Sequence, residues 1–152
     1  MDAFQESEAK RALIARNLVP CWVEFRSAVE SLIPSYNETR GGKVHPASVA
    51  PVGELAIVVS SDRGPADDEY HTVTIVITIS LKEGEYVIAA TEETWHTRQG
   101  LKLSKQDEYS YEFKLDGDLE EGKVWLVSTE FGKHITPFEA AEALLMKILD
   151  TP

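Results

Sequence analysis

Tyr70-His71-Thr72-Val73-Thr74-Ile75-Val76-Ile77-Thr78-Ile79-Ser80-Leu81 alternates almost without a break. Val73, Ile75, Ile77, Ile79 and Leu81 share one side of an extended chain. Thr72, Thr74, Thr78 and Ser80 share the other. A period of two with one apolar and one largely polar side is the mark of a strand in an antiparallel sheet, buried on one face and wet on the other. The β-branched residues suit a pleated surface. Lys82-Glu83-Gly84-Glu85 follows as a turn. Residues 86–95 then return as the partner strand.

The turn leaves two registers open. A two-residue loop at Glu83-Gly84 sets His71 opposite His96 and Ile75 opposite Glu92, with Tyr86, Ile88 and Ala90 inside. A bulged turn at Gly84 shifts the partner strand by one residue. Val87, Ala89, Glu93 and Trp95 would then face the core, and His96 would leave that face. Only the first register brings His71, Glu92 and His96 together, as a set that could bind a divalent metal or run general acid–base chemistry.

Three further strands are expected on either side. Leu55, Ile57 and Val59 alternate in 54–60. Tyr109, Tyr111, Phe113 and Leu115 alternate in 109–115, and 123–129 follows an acidic loop. Residues 43–53, rich in proline, read as an irregular or extended connection, and the stretch after Gln99-Gly100 as a polar crossing. Asp116-Gly117-Asp118-Leu119-Glu120-Glu121-Gly122 has the look of part of a calcium loop, but the glycine at the sixth position followed by a glutamate at the twelfth is missing. It is expected to be a solvated hairpin loop.

Helices flank the strands. Residues 4–33 carry helical periodicity, with Trp22, Phe25, Val29 and Leu32 on one face. Pro20 lies inside this segment. It should kink the helix or open a second one, with Asn17 capping the first piece and Pro34 stopping the second. At the other end, Thr136-Pro137-Phe138-Glu139 is a capping box, and Phe138, Ala141, Leu144, Leu145, Ile148 and Leu149 form a stripe. The expected fold is α+β in one domain spanning 1–152. A five-stranded, mostly antiparallel meander carries the kinked N-terminal helix and the C-terminal helix on one face.

The chain has 152 residues, and 15 Lys and Arg against 26 Asp and Glu give a net charge of −11. No basic run is present, which disfavours nucleic acid and anionic membranes as partners. No apolar stretch approaches a membrane helix, and the start does not read as a signal peptide. A lone cysteine, Cys21, fits a reducing compartment, so the cytoplasm is the expected location. Phosphate-loop, dinucleotide, zinc-protease and nucleophile-elbow motifs are absent from the sequence, and no cofactor or metal is expected.

Two functions compete on this reading. One is an acidic protein-interaction module, of adaptor, small-chaperone or inhibitor type, that covers a basic protein surface. The other is a small-molecule-binding domain or small enzyme. It would use a pocket between the sheet and the N-terminal helix, lined by Trp22, Tyr70, Tyr86 and His96, and a His/Glu pair. Trp95 and Trp125 are candidates for a binding surface if they face outward. In 123–129 both sides are apolar, which leads to the expectation of a two-fold homodimer unless the chain covers itself.

Overall fold

The computed structural model describes residues 2–65, 71–98 and 101–150, with the backbone alone for Pro65, His71, Arg98, 101–104 and Gln106. A long helix α1 (Ala3–Glu38) is followed by a short helix α2 (Arg40–Val44), and the chain closes on α3 (Pro137–Leu149). Between them lie β1 (Ala47–Pro51), β2 (Ala56–Pro65), β3 (His71–Lys82), β4 (Val87–Arg98), β5 (Leu101–Asp118), β6 (Lys123–Ser128) and β7 (Gly132–Ile135). The fold is α+β. The strands make one antiparallel sheet in sequence order, β1 to β7.

The sheet therefore has seven strands, not the expected five. β1 falls in the proline-rich stretch read as a connection. It is an edge strand with Pro51 at its end, a place where a missing amide costs no ladder bond. Asn37 of α1 ties it down: its amide donates to the Ala47 carbonyl at 2.9 Å, and its carbonyl accepts from the Ala47 amide at 2.8 Å. β7 is only four residues long and includes positive φ at Gly132 and His134, too short and irregular for a period to show. The polar crossing is also strand, the first half of β5.

α1 runs without interruption through Pro20 and Pro34. Both prolines face solvent. Each removes one backbone donor, and water can reach the carbonyl left behind. Leu18, Cys21, Trp22, Phe25, Val29 and Ile33 are buried along one side and hold the segments in line. Asn17 does not cap an end; its side chain donates to the Leu13 carbonyl within the helix at 2.8 Å. The chain leaves α1 through a tight turn in which a Cβ at Gly42 would lie 1.8 Å from the Tyr36 carbonyl oxygen, so only glycine fits there.

The core lies between the inner face of the sheet and the two long helices. Registers set its rows. Ile57, Ile79, Ala90 and Tyr111 lie side by side across β2 to β5, and Leu81, Ile88 and Phe113 form the next row. Leu115, Leu126 and Ile135 carry the face on to β7. Leu144, Leu145, Ile148 and Leu149 of α3 and the apolar side of α1 close over these rows. Leu126 is fully buried, so part of the apolar cover that 123–129 requires comes from the chain itself.

Neither expected hairpin register occurs. Leu81 pairs with Ile88, Ile75 with Thr94, Val73 with His96 and His71 with Arg98. A 3-10 turn at Glu83–Glu85 followed by Tyr86 lengthens the connection. Tyr86, and not Gly84, takes the left-handed conformation, at φ 54°. Its carbonyl accepts from the Leu115 amide at 3.0 Å, which anchors the turn to β5. The shift is by two residues from the two-residue-loop register. Ile88 and Ala90 therefore still face the core, while every cross-strand neighbour changes.

Candidate functional site

β5 outruns its neighbour. It pairs with β4 over Leu101 to Lys114 but with β6 only over Lys114 to Asp118. β6 stops at Ser128, whose hydroxyl accepts from the amides of Glu130 and Phe131 and turns the chain away. The inner face changes character where the helices end. The row Val59, Ile77, Glu92, Tyr109 begins apolar on β2 and β3 and becomes polar on β4 and β5.

A cleft of about 360 Å³ opens there, lined by Glu92, Tyr109, Ser110, Tyr111, Glu130 and Lys147. The Tyr111 hydroxyl donates to Glu92 Oε1 at 2.7 Å. Tyr111 is 7% exposed. Burial, and then the bond to Glu92, hold its proton well above the ordinary tyrosine range, so it stays a donor and is no base at neutral pH. Lys147 pairs with Glu130, and its ammonium lies 6.0 Å from the Tyr111 ring centre and 5.8 Å from that of Phe131. Aromatic rings connect this cleft to the core: Trp22 with Phe25, Phe25 with Phe113, Phe113 with Phe131, and Phe131 with Tyr111. Glu130 already holds the Lys147 ammonium, so an added cation would meet Glu92 beside the exposed ring of Tyr109.

The residues singled out in the sequence are scattered. Trp22 is 1% exposed, and its indole N–H donates to the Glu54 carbonyl at 2.9 Å. It packs in the core and fixes the β1–β2 turn. Tyr70 lies outside the described residues. His71 pairs its backbone with Arg98, and His96 sits opposite Val73. Glu92 shares a face with His96 but lies four positions away on β4, about 13 Å at strand rise. Trp95 is on the outer face of β4, between Thr74 and Lys105. Trp125 is on the outer face of β6, stacked on His134 at 6.1 Å with Lys123 5.9 Å from its ring centre. Trp95 and Trp125 are on the order of 30 Å apart along the strands, so they form no single patch.

Tyr86 does line a cleft between the sheet and α1, about 220 Å³, with Ser7, Lys10, Arg11, Ile14, Lys114 and Leu115. Lys10 also reaches Asp116 at 3.0 Å. That ion pair outweighs the effect of burial and holds the Asp116 carboxyl below its usual range. Cys21 is buried, and burial followed by the charge of Glu24 pushes its thiol up to about 12. It is held as an unreactive thiol. Among the described residues no group of three His, Cys, Asp or Glu is placed to hold a metal ion, and no helix is long and apolar enough to cross a membrane.

Sequence reasoning missed Glu130, Phe131 and Lys147. They come from a turn and from the solvent side of α3, and no local pattern marks them. Tyr109 and Tyr111 were legible as one side of a strand, and nothing local showed that this side emerges from under the helices. The chain matches no family model, no curated protein and no solved structure.

Proposed function

We propose that this chain is an interaction module that covers a basic surface on another protein. One observation carries the reading. The helices pack on the inner face of the sheet, and no described element covers the outer one. That outer face presents Val58, Val76, Thr78, Ala89, Thr91, Trp125 and Val127, each partly exposed. Val87 alone among its apolar side chains is buried there, between the cross-strand neighbours Lys82 and Lys114. A broad face of small and β-branched side chains is suited to contact rather than to catalysis. A charge of −11 selects a basic partner and speeds its approach.

Site-specific photo-crosslinkers test this. Placed at Thr78 or Thr91 on the outer face, they should give a discrete adduct with a protein whose crosslinked patch is rich in Lys and Arg. The yield should fall with salt. A crosslinker at Glu24, exposed on α1, should give none. Adducts only with a second copy would replace the reading with the two-fold dimer. No adduct from any outer position would end it.

A small-molecule function has one observation in its favour, the cleft of Tyr86 with Lys10, Arg11 and Lys114. Such a cleft would take a small anion, and calorimetric titration with inorganic phosphate and with a nucleoside monophosphate checks that reading.

A further inference from the structure

The open side of β5 is unlike the other edges. β1 ends in Pro51 and is tied to α1 by Asn37, and β7 is four residues long. Among the described residues, 107–113 of β5 are paired on one side only. The amide of Leu115 bonds to Tyr86, beside β4. Backbone groups alternate sides along an antiparallel strand. The odd residues of β5 therefore turn their N–H and C=O towards β4. Glu108, Ser110 and Glu112 turn theirs to the open side, and all three are exposed. An unpaired edge of this length is a template for another strand.

We propose that residues 107–113 of β5 receive an extended, basic segment of another protein, which adds to the sheet as a strand. The segment would set a Lys or Arg side chain against Glu92 and Tyr109 in the cleft, beside the Lys147–Glu130 pair already there. This rests on the reading of the chain as a module for basic partners and names the mode of contact. Main-chain bonds to Glu108, Ser110 and Glu112 supply affinity, and the cleft reads one side chain. Tyr109, 55% exposed, offers its ring to that cation.

The charges along the edge make the choice of partner. If two β5 edges paired antiparallel about Ser110, Glu108 of each copy would lie opposite Glu112 of the other, and like charges across strands repel. The same carboxylates attract a basic strand. They guard against self-pairing and admit the opposite charge. Lys105 already bridges Glu93 and Glu108 across the outer face, so a lysine is accommodated beside this edge.

The probe is a synthetic nine-residue peptide of alternating lysine and valine with blocked ends, against a control with glutamate in place of lysine. Nuclear magnetic resonance of the full chain should show the amides of Glu108, Ser110 and Glu112 shifting and slowing in hydrogen exchange with the lysine peptide only. Ser110→Pro removes an amide that no strand of this chain uses, so the fold should survive. Binding should weaken by about tenfold or more. Glu108→Lys with Glu112→Lys should weaken it similarly and leave the melting temperature near that of the parent. Shifts confined to the outer face would overturn the docking strand and leave the interaction reading intact. So would equal binding of both peptides, or no binding at millimolar peptide. Concentration-dependent protection of the same amides without peptide would assign the edge to a second copy and overturn the basic partner.

Discussion

Leu145 and Thr136 show how differently single residues of α3 contribute. Leu145 is 5% exposed and sits among the core side chains that join α3 to α1. Thr136 precedes the helix: its hydroxyl accepts from the Glu139 amide at 3.1 Å, and Glu139 accepts from the Thr136 amide at 3.0 Å. Leu145→Ala removes buried methyl groups and leaves a cavity, and should cost about 2–5 kcal/mol. Thr136→Ala removes one side of an exposed capping box and should cost about 1 kcal/mol. Urea unfolding of both variants checks the order. Both features were legible in the sequence because a cap and a stripe are local. Phe138, which belongs to the same stripe by spacing, is 44% exposed. It lies at the margin of the buried side of the first turn, where Pro137 and Ala140 are the side chains turned inward.

At the scale of elements, the departures from expectation share a cause. Pro20 was expected to break α1, because proline removes a hydrogen bond and crowds the preceding turn. The long helix persists because buried side chains on both sides of Pro20 bind it to one sheet. The penalty remains within the folded state. Pro20→Ala restores a donor to the Arg16 carbonyl on an exposed side and should stabilise the protein by about 1–2 kcal/mol, after the greater freedom of the unfolded chain is subtracted. A rise in thermal midpoint checks this, and a fall would mean that the proline fits the local backbone better than alanine does. The β3–β4 hairpin follows the same logic. Its turn was judged on Gly84, yet the anchoring bond from the Leu115 amide to Tyr86 belongs to β5, a strand distant in sequence.

For the whole molecule, charge and sheet edges act together. Net charge of −11 opposes self-association, and the acids on β5 oppose it most where the backbone is unpaired. Glu108→Thr with Glu112→Thr should promote association, most of all at raised salt or near the isoelectric point of about 4.8, where repulsion is weakest. Sedimentation velocity should show a larger share of dimer or larger species for this variant than for the parent under the same conditions. Replacing Glu24 and Glu38 by Gln on α1 changes the net charge equally and should have much less effect.

What the sequence by itself determined is what periodicity and local chemistry carry. It set the strand around Ile75, Ile77 and Ile79 and the face that this strand turns inward, the helical stripe of α1, the capped start of α3 and the net acidity. These depend on neighbours within a turn or a pleat. The tertiary structure alone decided the number of strands, the register that moves His71 and His96 from opposite to diagonal positions, the inward face of β4, the unbroken course of α1 past two prolines, and the cleft where Lys147 of α3 meets Glu130 and Tyr111. Each of these depends on contacts between segments far apart in the chain. Such contacts outweigh local preferences of a few kcal/mol at most, because a buried face of many side chains sets their geometry at once.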